Sequence, residues 1–289
     1  MLVYILTQLG WWAYLITELT KVVYSGSPKL DQRIWMVLGE GMVFASLLFI
    51  GFLYTYKAYK KEIELSRKQK NFLLSVTHEF KTPVASLRLF LETLQKRELD
   101  PQQKQEFISR AMNDIDRLNG ITENILTAAR IDMQVYPMNK TKISFSSLLE
   151  KITDSLSVSA GKDHITKKEI AKEIFVEADE QALISVVSNL YENAVKYSPK
   201  NSVIQVVLET RNQKAVLRIE DNGQGISEEN TKKIFEKFYR VQDEETRTTK
   251  GTGLGLYITR FFVLQNGGEI KVKKNEPSGT IMEVVFDLA

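Results

Sequence analysis

Two nearly charge-free stretches at the N-terminal end restrict this chain more than any other feature. Residues 1–17 carry no charged side chain, and Ile34 to Tyr56 carries Glu40 alone. A bilayer core of about 30 Å takes roughly 20 helical residues, so the stretch from Ile34 to Tyr56 is long enough to cross it. The first stretch is long enough once Glu18 to Thr20 lie at the interface, with Trp11, Trp12 and Tyr14 placed as belt aromatics. A cleaved signal peptide is the competing reading, but the chain shows neither a basic leader nor an Ala-x-Ala site after the apolar run. A buried soluble hairpin is a further alternative. The expectation is a two-span transmembrane α-helical hairpin over residues 1–56, with a short extracytoplasmic loop.

Charge sets the orientation. Lys57, Lys60, Lys61, Arg67, Lys68 and Lys70 outnumber Glu62 and Glu64 after the second stretch, whereas the loop from Lys21 to Arg33 is only weakly basic. The basic excess places residues after 56 in the cytoplasm. The loop outside is too short to bury a ligand-binding core of its own. Glu40 is costly against lipid. It either makes a polar contact with another helix or, the reading its place near the span's outer end favours, snorkels to the interface.

Cysteine is absent, which excludes a disulfide framework, a thiolate metal site and a cysteine nucleophile. With two histidines, His78 and His164, a multi-histidine metal site is excluded as well. A net charge of +3 gives no footprint for nucleic acid.

Residues 57–133 are predicted to form an α-helical hairpin. Phe80, Val84, Leu87, Leu91 and Leu94 step by 4, 3, 4 and 3, an a/d seam. After a break at residues 97–99, Asp100 offers an N-cap and Pro101 a first helical position. A second seam then runs through Ile108, Ala111, Ile115, Leu118, Thr122, Ile125 and Ala129. Two such helices bury little alone, so a dimeric four-helix bundle is expected. His78 lies off the seam and should face outward. Glu79 follows it, Thr82 lies one turn on, and Pro83 interrupts the backbone bonding. Neutral imidazole is a nucleophile whose tautomer a neighbouring carboxylate can fix.

Residues 140–289 alternate β-rich and helical runs, predicting an α/β sandwich with the sheet on one side and helices on the other. Residues 132–140 form the linker, expected to give the two domains freedom to move. Four clusters carry chemistry. Asn189, Glu192, Asn193, Lys196 and Tyr197 share a helix, with amide oxygens suited to a hard cation and a lysine suited to phosphate. Asp221, Gly223, Gly225 and Ile226 follow a strand, where Asp221 can accept from a base amino group. Residues 235–240, including Phe238, precede a charged lid, residues 240–250. Gly251, Thr252, Gly253, Leu254, Gly255 and Leu256 then open a helix whose amides can cradle phosphates. Each cluster alone also reads as an ordinary turn, helix surface or core packing. His164 is taken as a surface residue.

Taken together, the clusters become specific. His78-Glu79-Phe80-Lys81-Thr82-Pro83 resembles the H-box of sensor histidine kinases. The Asn189–Tyr197, Asp221–Ile226, Phe235–Tyr239 and Gly251–Leu256 segments resemble their N, G1, F and G2 boxes, in the family's order. The resemblance implies a dimerisation and histidine-phosphotransfer domain over 57–133 and a Bergerat-fold ATP-binding domain over 140–289. His78 would take the γ-phosphate of ATP, Glu79 would orient it, and Thr82 would position water for dephosphorylating a regulator. Asn193, with Asn189 and Glu192, would hold Mg²⁺. Lys196 would meet phosphates, Tyr197 the nucleotide and Asp221 the adenine amino group. The partners implied are a second copy of the chain, a separate response regulator, the lipid bilayer of the cell membrane and an accessory membrane protein. Only 21 residues separate Tyr56 from His78, leaving no room for a relay domain, as in intramembrane-sensing kinases. The alternatives are a phosphatase-dominant or pseudokinase subunit and a membrane-anchored coiled-coil interaction protein.

Overall fold

The computed structural model describes residues 2–25, 30–96, 99–241 and 251–289. Residues 1–67 and 68–289 form two compact units. Residues 97 and 98 of the expected break, residues 242–250 of the expected lid and residues 26–29 lie outside the described residues.

The first unit contains α1 (Leu2–Tyr24) and the beginning of α2 (Leu30–Lys96). The Trp11 indole N–H donates to Glu40 Oε2 at 2.8 Å, so Glu40 meets α1 instead of snorkelling outward as expected. Beside it, a Cβ on Gly41 would stand 2.6 Å from the Trp12 ring, so the absence of a side chain lets the two helices approach. Among the described residues, one helical stretch, from Leu38 onward, is long and apolar enough to cross a membrane. Leu47, Leu48, Phe49, Ile50, Phe52 and Leu53 on it are all exposed, a surface that water penalises and lipid does not. Of the expected pair of spans, one has the required character among the described residues.

Helix α2 continues without a break through Pro83 to Lys96. In the second unit it pairs with α3 (Pro101–Asp132), which opens as its sequence requires: Asp100 Oδ1 accepts from the Gln103 N–H at 2.8 Å and Pro101 takes the first turn. Phe90 and Phe107 meet across the hairpin at 5.5 Å. Leu73, Val84, Leu91, Ile108, Met112 and Ile115 stay exposed along the hairpin.

The remainder is a sandwich. Its strands are β1 (Thr141–Ser144), β2 (Ile165–Ile170), β3 (Phe175–Ala178), β4 (Val203–Arg211), β5 (Lys214–Glu220), β6 (Glu269–Lys274) and β7 (Thr280–Asp287). Five of them form one sheet in the order β2-β4-β5-β7-β6, with β2 parallel to β4 and the other pairs antiparallel; β1 and β3 pair separately. Helices α4 (Phe145–Val158), α5 (Glu180–Tyr197) and α6 (Gly255–Gln265) pack on the sheet, and Phe145, Leu149, Leu190, Ile204, Leu217 and Ile258 fill the space between.

Helix α5 positions most of the site. Asp179 caps it, accepting from Ala182 N–H at 2.9 Å with one oxygen and from Asn139 N–H at 2.8 Å with the other. Ala182, Leu183, Val186, Val187, Leu190 and Ala194 are its buried stripe. The polar positions of the same helix are therefore fixed on another face.

Three expectations change. Strand β2 was not foreseen, because Lys167, Lys168 and Glu169 break any alternation; it forms on the parallel register with β4 at the sheet edge. The linker is stitched down: the Tyr136 ring lies 5.0 Å from that of Phe262, and Asp132 accepts from the Tyr257 hydroxyl at 3.0 Å and pairs with Lys237. His164 is half-buried, not a free surface residue. Both its ring nitrogens are out of solvent without a hydrogen-bond partner among the described residues.

Asp179 is the more exacting of the two caps, since its loss orphans two amides in a buried setting. Asp179→Ala is expected to lower stability by about 2–4 kcal/mol and Asp100→Ala by about 1 kcal/mol. Thermal melts of the two variants beside the parent chain check the order.

Candidate active site

A cavity of about 710 Å³ gathers residues from every predicted cluster. Asn189, Glu192, Asn193, Lys196 and Tyr197 line it from α5, one face of a helix whose other face is core. The Asn189 amide nitrogen donates to Ser185 Oγ at 3.3 Å, and its oxygen lies against Gly255. Burial raises the Glu192 carboxyl from its ordinary value, while the Lys196 ammonium works in the opposite direction.

Asp221 sits at the end of β5, almost fully buried. Its Oδ1 accepts from the N–H groups of Gly223 at 2.7 Å and Thr280 at 3.2 Å. Burial raises its carboxyl above the ordinary value, and those two N–H groups hold the rise back. Gly225 and Ile226 line the cavity with it. Gly223 instead packs against the end of α5, where a Cβ would come 2.5 Å from the Tyr197 carbonyl.

Gly251, Thr252, Gly253, Gly255 and Leu256 form the wall opposite, while Leu254 is fully buried in the core. Gly251 has φ of 147°, and a Cβ there would be 2.6 Å from Lys196 Nζ. The backbone therefore favours glycine there, and the Lys196 ammonium, the mobile end of a long side chain, fills the space beside it. Phe238 does not reach the cavity. It holds a positive φ of 66°, a costly state for an aromatic residue. Its N–H donates to Gly253 O at 3.1 Å, and its ring meets that of Phe72 in a tilted contact with centroids 4.2 Å apart, so two contacts hold the strained conformation.

Phe72 belongs to a stripe on α2 that the sequence did not announce. Lys68 pairs with Glu236 at 2.9 Å, and Phe72 meets Phe238. Ser75 Oγ accepts from Arg240 at 3.3 Å, and Glu79 Oε1 accepts from Gly251 N–H at 2.8 Å. Arg240 also donates to Gly251 O at 2.5 Å, so both polar groups of that glycine are held. Residues 68, 72, 75 and 79 recur at 4, 3 and 4, the helical neighbours of one face.

Glu79 thus lines the cavity, is 3% exposed and also pairs with Arg117 of α3. His78 is exposed, as its place off the seam predicts. It and Thr82 lie outside the cavity lining, and the Thr82 hydroxyl donates to the His78 carbonyl at 3.2 Å. Arg117, Arg240, Lys68 and Ser75 were missed. Each carries a common surface residue type, and only tertiary pairing marks it.

Because the chain has no cysteine, the docking can be read by cross-linking. Phe72→Cys with Phe238→Cys should join rapidly through a short bis-maleimide. Adding Arg240→Ala should slow the reaction several-fold.

Comparison with known proteins adds the family. Residues 68–134 match the His Kinase A (phospho-acceptor) domain, and residues 178–289 match the Histidine kinase-, DNA gyrase B-, and HSP90-like ATPase family. The sensor protein CiaH of Streptococcus pneumoniae is 30% identical over 267 residues, covering 92% of this chain and 59% of that protein. The sensor protein RprX of Bacteroides fragilis is 31% identical over 280 residues, covering 94% of this chain and 53% of its own length. The chain therefore spans somewhat more than half the length of these relatives. The solved structure of full-length ShkA in complex with AMPPNP shares the fold at a TM-score of 0.54 and 20% identity, covering 76% of this chain and 46% of that one. The phospho-acceptor domain followed by the ATPase domain, with relatives matched along nearly the whole sequence, identifies the chain as a member of the sensor histidine kinases.

Proposed function

We propose that the chain is a membrane-bound protein-histidine kinase that phosphorylates His78 from Mg·ATP and passes the phosphoryl group to an aspartate of a separate response regulator. One observation carries this reading: Glu79, adjacent to His78, lines the same cavity as the asparagine, aspartate and glycine clusters. The domains are a transmembrane hairpin over 1–56, a dimerisation and phosphotransfer domain over 57–133 and a catalytic domain over 140–289. Both α1 and the apolar part of α2 span the cell membrane, with the catalytic domains cytoplasmic. The exposed seam residues of the hairpin pack against a second copy of the chain.

Asp221 accepts the adenine amino group, and Lys196 and the Gly251–Gly255 amides meet phosphates. The donors suit Mg²⁺. Asn189 spends its amide nitrogen on Ser185 and keeps its oxygen for other use, and Asn193 and Glu192 add oxygen atoms on the same helix. Held by these residues, Mg²⁺ would supply charge neutralisation for the transfer. Thr82, one turn beyond His78, positions water for dephosphorylation of the regulator. The docked stripe favours a second, phosphatase-dominant reading, because His78 is exposed and outside the cavity lining while Glu79 holds the Gly251 N–H.

The test uses the full chain in lipid nanodiscs with γ-labelled ATP and Mg²⁺. Acid-labile, base-stable label is expected in the parent and none in His78→Gln or Asn193→Ala. ATP bound without label would move the assignment to the phosphatase-dominant reading, and label persisting in His78→Gln would remove His78 as the acceptor.

The raised Asp221 value gives a pH signature. Protonation removes the anionic acceptor, so ATP affinity should fall on acidification from a pH above the usual carboxylate range. Asp221→Asn should bind at least tenfold more weakly. It should also melt higher than the parent near neutral pH without nucleotide, because a raised carboxyl value costs the folded state stability as pH climbs through it. Isothermal titration and melting curves across pH check both.

A further inference from the structure

Glu79 presents two carboxylate oxygens, and the structure uses them differently. Oε2 pairs with Arg117 from the same hairpin, and Oε1 accepts from Gly251 in the glycine-rich loop. A carboxylate buried to this degree needs a cationic partner. Arg117, itself about one-third exposed, reaches it from α3 across the hairpin and lines the same cavity. The Arg117 contact is internal to the hairpin. The Gly251 contact joins the hairpin to a loop that must also receive phosphate under the reading above.

We infer that Arg117 is a positioning residue for phosphorylation of His78, acting through Glu79. This rests on the kinase reading. Arg117 keeps Oε2 occupied and the carboxylate anchored at the cavity wall. Oε1 is left to exchange the Gly251 N–H for the ring N–H of His78 when nucleotide phosphates claim the loop. In the transfer, one imidazole nitrogen donates its lone pair to the γ-phosphorus of ATP. The bond to the β,γ-bridging oxygen breaks, and ADP leaves with that electron pair. The proton on the other imidazole nitrogen passes to Glu79 Oε1, leaving a neutral phosphorylated ring. Without Arg117 the carboxylate is unanchored, and misplacement by about an ångström costs up to about 100-fold in such a step.

The experiment compares the parent chain, Arg117→Met, Arg117→Lys, Glu79→Gln and the Arg117→Met/Glu79→Gln double variant, full length in nanodiscs. Phosphorylation rate is read at saturating ATP, and ATP affinity is read by displacement of a fluorescent nucleotide. Arg117→Met should slow labelling by roughly tenfold to 100-fold with affinity unchanged within about twofold. Arg117→Lys, which keeps the charge, should return the rate to within about fivefold of the parent. In the Glu79→Gln background, Arg117→Met should cost less than about twofold, since its target is already gone. An equal loss in both backgrounds would overturn the inference, as would a rate loss matched by weaker ATP binding. A labelled parent with Arg117→Met at the same rate would overturn it alone. An unlabelled parent would overturn it together with the kinase reading.

Discussion

A carboxylate removed from water must be met by donors, and much of the site's arrangement follows from how Glu79 is met. The hairpin supplies Arg117 and the glycine-rich loop supplies the Gly251 amide. That pairing brings the cavity to α2. Around it, Arg240 holds the other side of the Gly251 peptide, and Lys196 stands where a side chain on that glycine would have been. The loop is therefore shaped by three charged groups from three elements, in a place where its own residues contribute only backbone.

The catalytic domain was largely legible because its chemistry is local in sequence. Asn189 to Tyr197 lie on one helix, so 3.6-residue geometry alone puts their polar side chains together. Asp221 follows a strand of strong β-formers, and the glycines around it and Leu254 mark turns. The a/d seams gave the hairpin, and Asp100 with Pro101 gave the start of its second helix. Strand β2 escaped because an edge strand rich in lysine has no apolar alternation to read. Gly223, Leu254 and Phe238 were expected to line the site, but they lie outside the cavity surface, in its supporting walls and in the contact with α2.

What was not legible depends on separation in the chain. Lys68 and Glu236, or Ser75 and Arg240, are more than 160 residues apart, and nothing in either segment names the other. Glu40 shows the same limit at shorter range: its position suggested escape to the interface, whereas the Trp11 indole gives it a partner. The linker looked free because its composition carries no period, yet Tyr136 and Asp132 tie it to α6. Pairing of this kind is decided by the packed structure and leaves little local trace.

The stripe at 68, 72, 75 and 79 has a mechanical consequence. Eleven residues make three turns plus about 20°, so the four contacts lie nearly in a straight line about 16 Å long. A twist of α2 about its own axis carries all four off their partners together. Pro83 has no N–H for the Glu79 carbonyl, so a bend there begins at the last of the four. The four contacts therefore answer to rotation of α2 as one unit.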